Sequence, residues 1–145
     1  MTMKQLSVFV ENKPGTLAEI TGILGENAID MRALSVADTE RYGILRLIVD
    51  QPQKAEAALK EAGFKVSLTD VIAIAVSNQP GGLSQALRYV AKAGIAVEYM
   101  YAFVSQKADT AYVILRVQDN TKAIKALEEG GIPLIRGEEV YGKLG

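Results

Sequence analysis

Glu11 to Ile20 read ENKPGTLAEI and Ser77 to Ala86 read SNQPGGLSQA, so Asn-x-Pro-Gly-x-Leu occurs twice, 66 positions apart. Sliding the chain by 66 aligns more than the motif. Leu6, Val8 and Val10 fall on Ile72, Ile74 and Val76, an alternation that marks one face of a strand. Leu24 falls on Val90, Ile29 on Ile95 and Met31 on Val97. A shift of 70 sets Ile44-Leu45-Arg46-Leu47 on Ile114-Leu115-Arg116-Val117, and a shift of 68 sets Lys54-Ala55 and Ala58-Leu59 on Lys122-Ala123 and Ala126-Leu127. Such drift is what small loop insertions produce between equivalent elements. The chain therefore divides into two copies, residues 1–69 and 70–145.

Each copy reads strand, helix, strand, strand, helix, strand. In the first, Lys4 to Val10 is a strand, and Thr16 to Asn27 is a helix with Leu17, Ile20 and Leu24 on one side. Thr16-x-x-Glu19 has the spacing of a capping box, and Gly82-x-x-Gln85 is a weaker version of it. Ile29 to Val36 and Ile44 to Asp50 are strands that turn around Arg41-Tyr42-Gly43. Pro52 opens a second helix with an apolar stripe of Ala55, Ala58, Leu59 and Ala62, Gly63 stops it, and Phe64 to Leu68 is the last strand. This order predicts an α+β fold of two ferredoxin-like βαββαβ units, each an antiparallel sheet with two helices on one face. The join from Phe64 to Ala73 holds neither Gly nor Pro, which predicts two copies packed together as a tandem pair.

Composition narrows the function. Of 145 residues, 49% are hydrophobic and 23% charged, with a net charge of −1, which suits a globular domain and not a general nucleic-acid binder. No run of about 18 apolar residues marks a membrane span, and the N-terminus lacks a signal-peptide core, so the expectation is a cytoplasmic protein. The chain has no cysteine and no histidine, which removes thiol catalysis, the usual general base and the commonest metal ligand. No nucleophile–base pair, metal cluster or P-loop lysine after Gly81-Gly82 is visible, and neither a cofactor nor a metal is expected.

Two readings of the repeated turn stand at this point. In one, Pro and Gly shape the handover from strand to helix and Asn bonds its own backbone. In the other, the free amides of the helix start hold a small anion such as a carboxylate, with Gly admitting the ligand. Elsewhere, Arg46 and Arg116 align as equivalent strand residues, suited to a carboxylate or to a salt bridge. The run Glu98 to Phe103 (EYMYAF) suits a partner surface or cross-strand packing. Glu128-Glu129 and Glu138-Glu139 read as solvated charge, and Asp109 and Asp119 as turn residues.

The segments VFVENKPGTLAEITGILGENAIDMRALSV and IAVSNQPGGLSQALRYVAKAGIAVEYMYA both resemble the ACT domain family, small modules that bind amino acids and regulate metabolic enzymes. The resemblance covers nearly the whole chain. It implies an amino-acid site at domain interfaces, lined in the first copy by Asn12, Gly15, Thr16 and Leu17 with Ile29, Asp30 and Met31. In the second copy it implies Asn78, Gly81, Gly82 and Leu83 with Ile95, Ala96 and Val97. Gly82, lacking a side chain where Thr16 has one, suggests more room at the second turn. The expectation is a non-enzymatic regulatory protein, homodimeric because its strands are apolar on both faces, that binds an amino acid and modulates a metabolic enzyme. A small ferredoxin-like enzyme and a purely structural dimerisation module are the alternatives.

Overall fold

A computed structural model describes residues 2–38, 41–103 and 109–140, without the side chains of Glu138 and Val140. The Glu138 half of the second acidic pair thus lies outside the described side chains. Two compact units form, one mainly Lys4–Thr69 and the other Asp70–Glu139 with the N-terminal residues through Met3.

The first unit runs β1 (Met3–Glu11), α1 (Thr16–Glu26), β2 (Met31–Asp38), β3 (Tyr42–Val49), α2 (Pro52–Glu61) and β4 (Lys65–Ser77). Tyr42 and Gly43, expected in a turn, are the first residues of β3 and pair with Glu11 and Val10. The last strand is far longer than expected: β4 continues through the join between copies and is also the first strand of the second unit. That unit continues with α3 (Gly82–Lys92), β5 (Val97–Ala102), β6 (Thr110–Val117), α4 (Asn120–Glu129) and β7 (Leu134–Ile135), and a four-residue helix, α5 (Gly137–Val140), follows. Strand order is β4-β1-β3-β2 in the first unit and β7-β4-β6-β5 in the second. Both are the ferredoxin-like arrangement.

Apolar alternation builds each core. Leu6, Val8 and Val10 with Leu45, Leu47 and Val49 meet Ile20 and Leu24 of α1 and Ala55 and Leu59 of α2. Ile72, Ile74 and Val76 with Val113, Leu115 and Val117 meet Ala86, Val90, Ala123 and Leu127. The buried row of α1 is Thr16, Ile20 and Leu24. Leu17 is turned outward, one residue off the expected stripe, at 42% exposure. On the sheet faces away from the helices, Ile48 and Ile114 are fully buried within the single chain.

The register corrects one alignment. Leu6 pairs with Leu47, and its counterpart Ile72 pairs with Leu115, so β3 and β6 correspond at a shift of 68 rather than 70. Arg46 is thus equivalent to Ile114 and Arg116 to Ile48. The repeated letters Ile-Leu-Arg are coincidental.

Candidate functional site

The repeated turn has nearly the same backbone in both units. Asn12 N–H donates to the Arg41 carbonyl (2.9 Å), and Asn78 N–H to the Asp109 carbonyl (3.0 Å). Gly15 (φ 92°, ψ −15°) and Gly81 (φ 90°, ψ −8°) then stand as N-caps in the left-handed region. A side chain is strained there, which is why glycine follows proline in both copies. Their carbonyls accept the first helical bonds from Glu19 and Gln85, 2.9 and 3.0 Å long. Neither cap makes a side-chain bond, so the capping boxes expected from Thr16-x-x-Glu19 and Gly82-x-x-Gln85 do not form. Both sequences sit one residue too late: Thr16 and Gly82 are the first residues of their helices, not the caps.

The amides of Leu17 and Ala18, and of Leu83 and Ser84, precede the first i→i−4 bond of their helices and point out of the helix start. With the helix dipole they form an electropositive end suited to a carboxylate. Asn12 is exposed, and the bonds holding its turn run through backbone groups. Thr16 is buried, and its Oγ1 has no hydrogen-bond partner among the described residues. Gly82 does not leave room: a Cβ there would collide with the Ser77 carbonyl. The second turn is the tighter one, with Gly82 N–H on the Gln79 carbonyl at 3.0 Å against 3.5 Å for Thr16 on Lys13.

The second-strand residues lie elsewhere. Val10, beside the first turn, pairs with Gly43, and Gly43 pairs with Asp38, whereas Met31 pairs with Val49. Six strand residues separate these levels, roughly 20 Å. Within one unit, Ile29, Asp30 and Met31 are at the far end of α1 from Asn12, Gly15, Thr16 and Leu17. Ile29 is buried in the core and Met31 packs against it. Asp30 is part of a local staple: its N–H donates to Asp50 Oδ1 (2.9 Å), its carboxylate holds Arg32 Nη1 (2.6 Å), and nearby Lys54 Nζ donates to the Asn27 carbonyl (2.7 Å). In the second unit, Val97 pairs with Val117 while Ser77 pairs with Thr110, so Ile95, Ala96 and Val97 are likewise remote from Asn78, Gly81, Gly82 and Leu83.

Two features escaped the sequence reading. An apolar groove of about 450 Å³ runs between α3 and β5, lined by Leu87, Val90, Ala91, Ile95, Val97, Tyr99 and Met100. It adjoins a second groove through Leu87 and Ala91 that reaches Leu83 and Arg88. The helical spacing Leu83–Leu87–Ala91, offset from the core row Ala86–Val90, was the available signal. On the outermost strand of the first unit, Leu34 and Val36 are exposed at 51% and 46%.

The remaining candidates are structural. Arg116 donates to the Val117 carbonyl at 2.8 Å. Arg46 pairs across the sheet with Ser7 and Ser35, on the face away from the helices. Asp119 is not a plain turn residue but the N-cap of α4, accepting from Lys122 N at 3.0 Å. Tyr99 and Tyr101 stack at 6.4 Å, and Phe103 meets Tyr112 edge-on at 6.0 Å. Among the described residues no group of three or more acidic side chains could hold a metal, and no helix is long and apolar enough to cross a membrane.

Two βαββαβ units in one chain agree with the comparisons. The family model for an ACT domain pair matches residues 1–140, and the chain belongs to that family. Among solved structures, protein BT0572 from Bacteroides thetaiotaomicron is 39% identical, with 98% of this chain and 97% of that one covered at a TM-score of 0.92. The regulatory subunit of aspartate kinase from Thermus thermophilus, in its ligand-free form, shares the fold at 18% identity and a TM-score of 0.65, covering 88% of this chain and 91% of that one. Its counterpart from Thermus flavus scores 0.62 at 18% identity, covering 88% and 92%. No curated protein matches the sequence.

Proposed function

We propose that this ACT domain pair is a regulatory protein that binds a free amino acid at its repeated turns and modulates a metabolic enzyme, acting as a homodimer without catalysis of its own. One observation carries the reading: both units start their first helix from a left-handed glycine with no side-chain cap, which leaves helix-start amides for a ligand carboxylate. The fold it shares with the Thermus aspartate kinase regulatory subunits gives a precedent for a pair of this kind serving an enzyme. In this reading Asn12 and Asn78 add polar side-chain contacts, Leu17 and Leu83 flank the ligand, and the outward Leu17 is available for that role. Ile29 to Met31 and Ile95 to Val97 take part only where another unit or chain brings them opposite a turn.

A thermal-shift screen of the twenty amino acids tests the reading. A ligand at 100 times its dissociation constant stabilises the fold by about 2.7 kcal/mol, a rise of roughly 5–10 °C for a domain of this size. Asn12→Ala or Asn78→Ala is expected to remove most of that shift while barely moving the ligand-free melting point. No shift with any amino acid refutes the site, and a full shift in both variants removes the Asn side chains from it.

A further inference from the structure

Each copy can be compared with the other, and they differ on the sheet face away from the helices, beside the turn. In the first unit the chain itself fills that place. Leu6, Val8 and Val10 face the helices, so Phe9 stands on the other side of β1, half-exposed, with Lys65 Nζ over its ring at 5.5 Å from the centroid. The counterparts follow from sequence and bonding. Ala75 takes the position of Phe9 at the shift of 66. Asn12 N–H donates to the Arg41 carbonyl and Asn78 N–H to the Asp109 carbonyl, so Asp109 takes the position of Arg41. Phe64 N–H donates to the Leu59 carbonyl and Ile132 N–H to the Leu127 carbonyl, so the next residue, Pro133, takes the position of Lys65.

The second unit thus lacks the ring and the ammonium together. A pocket of about 410 Å³ opens there, and its lining includes Ala75, Ser77, Gln79, Asp109, Thr110 and Pro133. Its charge is reversed as well. Glu11, Lys13, Arg41 and Lys65 set three cations against one acid in the first unit, whereas their counterparts Ser77, Gln79, Asp109 and Pro133 hold a single acid and no cation. Ala75 and Pro133 offer apolar contact to a planar ring, and Asp109 offers a carboxylate to a positive charge. We propose that this pocket binds a small arylalkylammonium ion, with its ring over Ala75, where Phe9 stands in the first unit, and its ammonium on Asp109. The site goes beyond the amino-acid reading above and does not draw on the helix-start amides, since Gly81, Gly82 and Leu83 do not line it.

Proton–nitrogen correlation NMR of the whole chain, titrated with phenethylammonium, tests the proposal. Saturable shift changes are expected at the amides of Ala75, Ser77, Asp109 and Thr110. Hydrocinnamate keeps the ring and reverses the charge, and n-butylammonium keeps the charge without the ring; each is expected to bind at least about tenfold more weakly. Ala75→Phe supplies the ring from the chain, as at position 9, and is expected to abolish the response. Asp109→Asn is expected to weaken it at least about tenfold. The spectrum of each variant reports its fold in the same experiment. Asp109 is exposed, so Asp109→Asn and the three-ligand comparison decide the outcome even where Ala75→Phe does not fold. The proposal is overturned by no saturable change with phenethylammonium, by changes confined to other residues, by an equal response to hydrocinnamate or n-butylammonium, or by an undiminished response in folded Ala75→Phe or in Asp109→Asn.

Discussion

Glycine-to-alanine substitution is expected to act with opposite signs at Gly82 and Gly22. Both are helical, and neither has a positive φ. Helix propensity alone favours alanine by about 1 kcal/mol at an interior position. At Gly22 a Cβ meets nothing within 4 Å, and the equivalent position in α3 already carries Arg88, so most of that gain is expected. At Gly82 the Cβ would collide with the Ser77 carbonyl, a backbone atom at the end of β4 that cannot rotate away. Relief requires opening the turn, which strains the strand-to-helix handover and lengthens the 3.0 Å bond from Gly82 N–H to Gln79. Overpacking of this kind costs about 1–3 kcal/mol, and a lost hydrogen bond about 1 kcal/mol more. Net of propensity, Gly82→Ala is expected to lose about 1–3 kcal/mol. The two variants would then melt roughly 6–15 °C apart. Urea unfolding monitored by circular dichroism gives the free energies, and scanning calorimetry the melting points. A Gly82→Ala protein as stable as Gly22→Ala refutes the close approach and with it the account of the tighter second turn.

Three further outcomes are expected. Ala28 ends α1 at φ 54°, where the other three long helices are followed by Gly63, Gly94 and Gly131 in the same region, so Ala28→Gly should raise stability by about 0.5–1 kcal/mol in urea unfolding. Asp119→Ala removes the side-chain cap on Lys122 N and should cost about 1 kcal/mol by the same assay, whereas Thr121→Ala, on the exposed side of the same first turn, should cost less than half of that. Leu127→Ala empties a fully buried position in the second core and should cost about 2–5 kcal/mol, read as a lower denaturation midpoint at an unchanged slope.

Much of the fold could be read from the chain because its signals were local. Alternation in Leu6-Val8-Val10 and Ile72-Ile74-Val76 marks half-buried strands without reference to distant residues, and Pro-Gly marks the handover to a helix. Pairing between strands is not local. The identical Ile-Leu-Arg in β3 and β6 suggested a shift of 70, and only the registers Leu6–Leu47 and Ile72–Leu115 show it to be 68. The caps were misplaced for a related reason. Thr16 and Glu19 have the spacing of a capping box, but the chain reverses at Gly15, and that choice is made by backbone angle rather than by side-chain type. Of the site, the turn was legible as a motif. The distance between Asn12 and Met31 was not, because helix length separates residues that a motif comparison sets side by side.

The backbone-held turn also bears on how such a chain can diverge. Pro14-Gly15 and Pro80-Gly81 carry the shape, while Asn12 and Lys13 are exposed and the hydrogen bonds of the first turn run through main-chain atoms, with an exposed Lys13–Glu11 ion pair at 3.3 Å beside them. The exposed letters of the turn are thus largely separate from the letters that keep the scaffold. Under the proposed reading, a duplicated module built this way would hold two receptors whose preferences can drift independently, since a change of recognition in one copy leaves the architecture of both intact. The copies already differ where such drift would first register, with Asn12-Lys13 and Thr16 in one and Asn78-Gln79 and Gly82 in the other.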